Sequence, residues 1–136
     1  MFTNSLAILN QIKADLTAAL TVPNLTINLD EPLDLVYSDL PTLSIYPIKE
    51  EFVYADSFTQ DKKQLSIRIE LRMVSGPAST ICTPVINDIS TAIKADRTLG
   101  NLADYVELQS IQWANDKTES GYVCGASIDL QVDYLI

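Results

Sequence analysis

The sequence predicts an α+β fold: a mostly antiparallel or mixed sheet of about five strands with two helices packed on one face. Three observations carry this. Two segments space their apolar residues as helices do, five alternate apolar and polar residues as half-buried strands do, and the order α–β–β–β–α–β–β does not interleave helices with strands regularly. With 136 residues and 47% hydrophobic composition, the chain is expected to form one compact domain around one core.

The first helix is predicted over 4–20. Ile8, Leu9, Ile12, Leu16, Ala19 and Leu20 fall on one stripe, with Asn10, Gln11, Lys13 and Asp15 outside it. Asn4 is a suitable N-cap, and Pro23 stops continuation much past Thr21. Leu25, Ile27 and Leu29 then alternate with Thr26, Asn28 and Asp30 as a short strand, which the turn Asp30-Glu31-Pro32 ends. Leu43–Pro47 reads as a second strand, opened by Pro41 and closed by Pro47. Leu65–Val74 is the clearest strand, with Leu65, Ile67, Ile69, Leu71 and Met73 on one face and Ser66, Arg68, Glu70 and Arg72 on the other. The intervening Ile48–Lys63 reads as an extended charged loop, longer than a tight hairpin needs.

An irregular turn over Pro77–Cys82 is expected before the second helix. That helix spans 84–95, with Thr83 as cap, Pro84 in the first turn and a stripe of Val85, Ile86, Ile89, Ala92 and Ile93. Lys94 lies near its C-terminus, where the macrodipole favours a cation. Gly100-Asn101 marks a turn. Strands Val106–Trp113 and Tyr122–Leu135 follow, joined by a polar hairpin loop over Asn115–Gly121. In the last strand Cys124, Ala126, Ile128, Leu130, Val132 and Tyr134 share one face with Tyr122, and Ser127, Asp129, Gln131 and Asp133 share the other.

The composition excludes several function classes. The chain has no histidine, which removes histidine-dependent proteases, most zinc enzymes and imidazole acid–base catalysis. A net charge of −9 argues against a nucleic-acid binder or a polybasic membrane anchor. No apolar run approaches a membrane span, and no basic region followed by an apolar block suggests a signal peptide, so intracellular synthesis is expected. Cys82 and Cys124 have no metal-site spacing and are expected as reduced, partly buried thiols.

Candidate chemistry is sparse. Asp129 and Asp133 share a strand face but lie about 13 Å apart, too far for a carboxylate dyad. Asp30, Glu31, Asp34 and Asp39 lack the spacing of a calcium-binding hand. Neither a nucleophile elbow nor a phosphate-binding loop is present, and no cofactor or metal is implied. More informative is a basic stretch in an acidic chain: Lys62, Lys63, Arg68 and Arg72. Arg68 and Arg72 share the polar face of the strongest strand, either with cross-strand acidic partners or as a stripe that meets an acidic patch on another copy. The second reading expects charge reversal of both to give a folded monomer. Trp113 is expected as core or rim at its strand end, together with Tyr105 as a second dual-purpose aromatic. Phe52, Tyr54 and Phe58, set among charges, suit a protein interface.

The pattern resembles the tail terminator proteins of long-tailed bacteriophages, of the minor tail protein U type. The similarity runs through Leu40-Pro41-Thr42-Leu43-Ser44-Ile45-Tyr46-Pro47 and the extended charged loop after it. It continues in the strand Leu65–Val74, the helix end Ile93-Lys94-Ala95-Asp96, Thr98-Leu99-Gly100-Asn101-Leu102-Ala103, Val106-Glu107-Leu108 and the closing Val132-Asp133-Tyr134. Asn101 stands where family members often carry a second glycine, and asparagine also tolerates that geometry.

The resemblance implies a structural virion component and not an enzyme. Such subunits assemble as a ring, commonly a hexamer, on the end of the tail tube. The ring stops tube growth and presents a surface to head–tail connector proteins. Implied partners are further copies of the chain, the major tail tube protein and the connector, with DNA passing through without specific binding. The site would be the virion tail, after assembly in the host cytoplasm. By the same resemblance the Ile48–Lys63 loop would contact the tube or an adjacent subunit, and Asp129 and Asp133 are candidates for an acidic lumen that repels phosphates. Alternatives are another neck or head-completion protein, or a small-molecule binding domain or enzyme with a pocket between sheet and helices.

Overall fold

The computed structural model describes residues 5–29, 41–54, 61–74, 78–118 and 121–135. Helix α1 (Ser5–Ala19) follows the predicted stripe: Ile8, Leu9, Ile12 and Leu16 are buried. Leu20 N still donates to Leu16 O at 2.9 Å before the chain turns through Asn24, whose φ is +60°. Strand β1 (Thr26–Asn28) is the short strand expected, with Ile27 turned inward and Thr26 and Asn28 exposed. It pairs in parallel with β2 (Thr42–Tyr54), which pairs antiparallel with β3 (Asp61–Val74).

Two helices follow. Helix α2 (Ala78–Ile81) occupies most of the segment expected to be an irregular turn, and α3 (Thr83–Ala95) runs on from it. Thr83 is not the cap. The capping position is Cys82, already in helical backbone geometry and making no side-chain cap, because the chain enters α3 from another helix. Pro84 in the first turn needs no amide donor there, and Lys94 sits in the last turn, both as predicted.

Strands β4 (Tyr105–Thr118) and β5 (Gly121–Leu135) close the sheet in the order β1-β2-β3-β5-β4. Three of the four neighbouring strand pairs are antiparallel and one is parallel, so the α+β architecture is as predicted. One cluster forms the core. Ile8, Ile12 and Leu16 of α1 and Ile86, Ile89 and Ile93 of α3 pack with the inward residues of β2, β3 and β5. Those inward residues are Leu43 and Ile45, then Leu65, Ile67, Ile69 and Leu71, then Cys124 through Tyr134 at every second position.

Strand ends differ from expectation in a consistent direction. Pro47 does not close β2, and Ile48–Lys63 is mostly not a loop: the ladder continues through Phe52↔Lys63 to Tyr54↔Asp61, after a bulge between Pro47 and Lys49. Proline is tolerated because among the described residues β1 covers β2 only as far as Ser44, so Pro47 lies on a strand edge. Likewise Asn115–Thr118 and Gly121–Tyr122 extend the β4–β5 ladder through the predicted hairpin loop. Pro47–Phe52 and Asn115 in these extensions are exposed at successive positions. Hydrophobic alternation therefore vanishes while backbone pairing persists. The cap candidate Asn4, the acidic segment with Asp30, Glu31, Asp34 and Asp39, and Phe58 lie outside the described residues.

Candidate functional site: the polar sheet face and the two bare edges

The face of the sheet turned away from the helices carries the predicted basic stripe, and register determines what it does. Arg68 lies opposite Asp129 on β5 and opposite Tyr46 on β2. Its guanidinium donates twice to the Asp129 carboxylate, Nε to Oδ1 at 2.8 Å and Nη2 to Oδ2 at 3.3 Å. That bidentate pair, chiefly through its hydrogen bonds, pins Arg68 in its protonated form. Tyr46 is buried, and its hydroxyl donates to Glu70 Oε1 at 2.9 Å; burial first, and then the Glu70 carboxylate, push the phenol up from its ordinary value. Arg72 Nη2 stands 3.5 Å from Glu70 Oε2, an ion pair without a hydrogen bond at that oxygen. Both arginines thus have acidic partners within their own chain.

The remaining predicted residues are scattered along the strands. Lys62 pairs with Asp104 at 3.7 Å near the start of β4. Lys63 pairs with Glu50 at 3.8 Å and stands over the Phe52 ring, 5.0 Å from its centroid. Tyr134, fully buried, donates its hydroxyl to the same Glu50, and burial followed by that carboxylate raises its pKa. Glu50, Lys63, Phe52 and Tyr134 therefore tie the outer part of the β2–β3 hairpin to β5. Tyr54 ends β2. Tyr105 opens β4 and takes the Arg97 guanidinium over its ring at 4.9 Å and at its hydroxyl. Asp133 stays on the polar face with Asp129, and Gln131 Nε2 donates to it at 3.4 Å.

Sequence reasoning missed the edges. Trp113 is not core and not at a strand end: it lies within β4, 47% exposed, next but one to Ile111 at 42%. Both point to the helix-bearing side, opposite Ala126 and Ile128, but among the described residues no strand continues the sheet past β4. On the opposite edge, among the described residues, no strand covers the outer half of β2 from Pro47 to Phe52, with Ile48 48% and Phe52 66% exposed. The register shift between Leu108 and Ser110 is what turns Ile111 and Trp113 inward, and no residue pattern announces it. Between the edges a shallow groove crosses the polar face over Gly125, bounded by Arg72, Gln112 and Ser127. Gly125 is small for a reason, since a Cβ there would stand 3.1 Å from the Leu71 carbonyl oxygen.

Three-or-more-membered groups of metal-binding acidic or sulfur side chains are absent among the described residues. Cys82 and Cys124 are fully buried free thiols with Sγ atoms 3.4 Å apart. Burial, then the neighbouring thiol, pushes Cys82 up to about 12, which keeps it protonated and unreactive at neutral pH. No helix among the described residues is long and apolar enough to cross a membrane.

No family model and no curated protein matches the chain. Solved structures do. One is the sheath/tube terminator of an extracellular contractile injection system, PVC, in its extended state: 16% identical, TM-score 0.59, covering 98% of this chain. The chain spans 58% of that protein's length. Another is a chain of the virion of a native gene transfer agent particle, 12% identical at a TM-score of 0.45, with 96% of this chain and 93% of that chain covered. Nearly the whole chain therefore has the fold found within a tube terminator.

Proposed function

We propose that the chain is a structural subunit that caps the end of a phage-type tail tube as a ring, ends tube growth and offers a surface for joining the head. The observation that carries the reading is the fold: 98% of the chain superposes on a protein named as a sheath/tube terminator. The two bare sheet edges support it, because a subunit that works only in an assembly must leave surface for its neighbours. Its partners are further copies of the chain, the tube protein and a head connector, and its site is the virion tail. A hexamer is the expected ring.

Within this reading the segment that carries Phe52, Tyr54, Phe58, Lys62 and Lys63 meets the tube or the next subunit. Arg68 and Arg72 stand on the polar face, each paired with a carboxylate of its own chain, Arg68 with Asp129 and Arg72 with Glu70. The polar face with Asp129 and Asp133 is assigned to the lumen. Arg68 neutralises Asp129, which leaves Asp133 as the more effective of the two in repelling DNA phosphates.

The test is a length measurement. Purified chain is added to tail-tube subunits from the same phage-type particle as they polymerise, and tube lengths are measured by electron microscopy. Added protein should cap the tubes and arrest them; tubes that elongate as they do without it would end the assignment.

A further inference from the structure

The outer half of β2 and the middle of β4 are opposite edges of one sheet, and their chemistry is complementary. We infer that Pro47–Phe52 of one copy adds as an antiparallel strand to Ser110–Ala114 of the next, so that neighbouring copies share a continuous sheet. The inference deepens the ring reading and relies on it only for closure.

Direction and facing come from the topology. Successive antiparallel pairings from β2 through β3 and β5 to β4 leave β4 running opposite to β2. A second copy placed beside β4 with its helices on the same side therefore presents β2 antiparallel, with no inversion needed. Phe52 pairs with Lys63 on the helix-bearing face, and Ile111 and Trp113 are on that face too. Joining the edges thus brings the exposed Phe52 of one copy onto the exposed Ile111 and Trp113 of another.

Charge favours the same pairing. Ser110–Ala114 carries no charged residue. The hairpin arm formed by 47–54 and 61–63 has three basic residues (Lys49, Lys62, Lys63) and three acidic ones (Glu50, Glu51, Asp61), hence no net charge in a chain of −9. Lys49 and Glu51 pair at 2.7 Å, and Glu50 is held by Lys63 and Tyr134. Two neutral edges can approach where most of the surface would repel. The β4 segment also lacks what protects an edge: no charge, no proline and no bulge lies within Ser110–Ala114.

The implied slip has a sensible size. Gln112 is level with Ser127, Glu70 and Ser44 across the sheet, so its alignment with the middle of the arm needs a shift of about six residues, about 20 Å. Five strands span about 24 Å. A slip of that size per copy inclines the strands by about 40° to the axis of a ring, within the range at which sheets close. Because the two edges differ, the contact is heterologous and can close into a ring.

The test uses full-length chains carrying Lys49→Cys or Gln112→Cys, both exposed positions on the polar face, with the buried native cysteines as an unmodified control. A short bis-maleimide should join the two variants when mixed, in clear excess over either alone. Adding Trp113→Lys, or separately Ile111→Lys, to the Gln112→Cys chain should cut the yield about tenfold, equivalent to about 1.4 kcal/mol. No mixed cross-link, an equal yield from Gln112→Cys alone, or indifference to both lysine variants would overturn the inference. Cross-linking failure with tubes still arrested would reject this edge pairing and leave the capping role standing. Cross-linking in a protein that does not arrest tubes would do the reverse.

Discussion

At the residue scale, stability is concentrated in a few side chains whose environment departs from the ordinary. Asp15 sits on the partly buried side of α1, accepts from Gln11 Nε2 at 2.9 Å, and faces Asp96 at the C-cap of α3. Burial first, and then Asp96, raise its carboxyl from 3.8 to about 6. A folded pKa above the unfolded one means the folded state holds the proton more tightly. That contribution is complete below about pH 4 and is lost as pH rises through about 6. Asp15→Asn should therefore stabilise the protein at pH 7.5 by on the order of 1 kcal/mol, after discounting for solvent screening. Urea titrations at pH 4.5 and 7.5 would check it, and an unchanged pH dependence in the variant would refute it. Leu99, Gly100 and Asn101 have φ of +49°, +64° and +70°. Only Leu99 is buried among these three, so its strain is offset by packing in the core. Asn101→Gly should raise stability by up to about 1 kcal/mol, read from the thermal midpoint.

The Arg68–Asp129 pair links residue and element scales, because it joins β3 to β5 at the middle of the polar face. Arg68→Asp should cost about 1–2 kcal/mol, and the swap Arg68→Asp with Asp129→Arg should recover most of it. Loss without recovery in the double variant would show that the pair contributes through something other than its charges. The central strands and both long helices were legible in the sequence because each has one buried face and therefore one clear period. Thr42, Ser44 and Tyr46 are instead buried on the polar face, and Pro47–Phe52 and Ser110–Asn115 are exposed at successive positions, so periodicity is uninformative there. The outer β2–β3 hairpin is held by Glu50, Lys63 and Tyr134 rather than by core. Tyr134→Phe should leave the global midpoint within about 1 kcal/mol of wild type. Amide exchange in 49–53 and 62–64 should accelerate severalfold, and unchanged exchange there would count against the tether.

For the whole molecule, the relevant quantity is −9 spread unevenly. Copies that meet through neutral edges still carry their acidic remainder into each other's field, which salt screens over about 10 Å at 0.1 M. Association should therefore strengthen between 20 and 500 mM NaCl, as seen in sedimentation, roughly where the Debye length falls below about 5 Å. An interface built on Arg68 and Arg72 would weaken over the same range. Such weakening would return the basic stripe to consideration. Within the chain itself Arg68 is paired with Asp129 and Arg72 with Glu70.

The sequence by itself determined the α+β class, the two long helices, the inward faces of β3 and β5, the left-handed turn at Gly100-Asn101 and the absence of histidine chemistry. These depend on local pattern and composition, which a chain carries without its fold. Only the tertiary structure decided which cross-strand partners meet, since register joins residues as distant as Arg68 and Asp129 or Glu50 and Tyr134. It alone decided which edges stay bare. Exposure of Ile111 and Trp113 depends on where the helices stop and where β4 shifts register, and neither is a property of the five residues from Ser110 to Ala114 themselves.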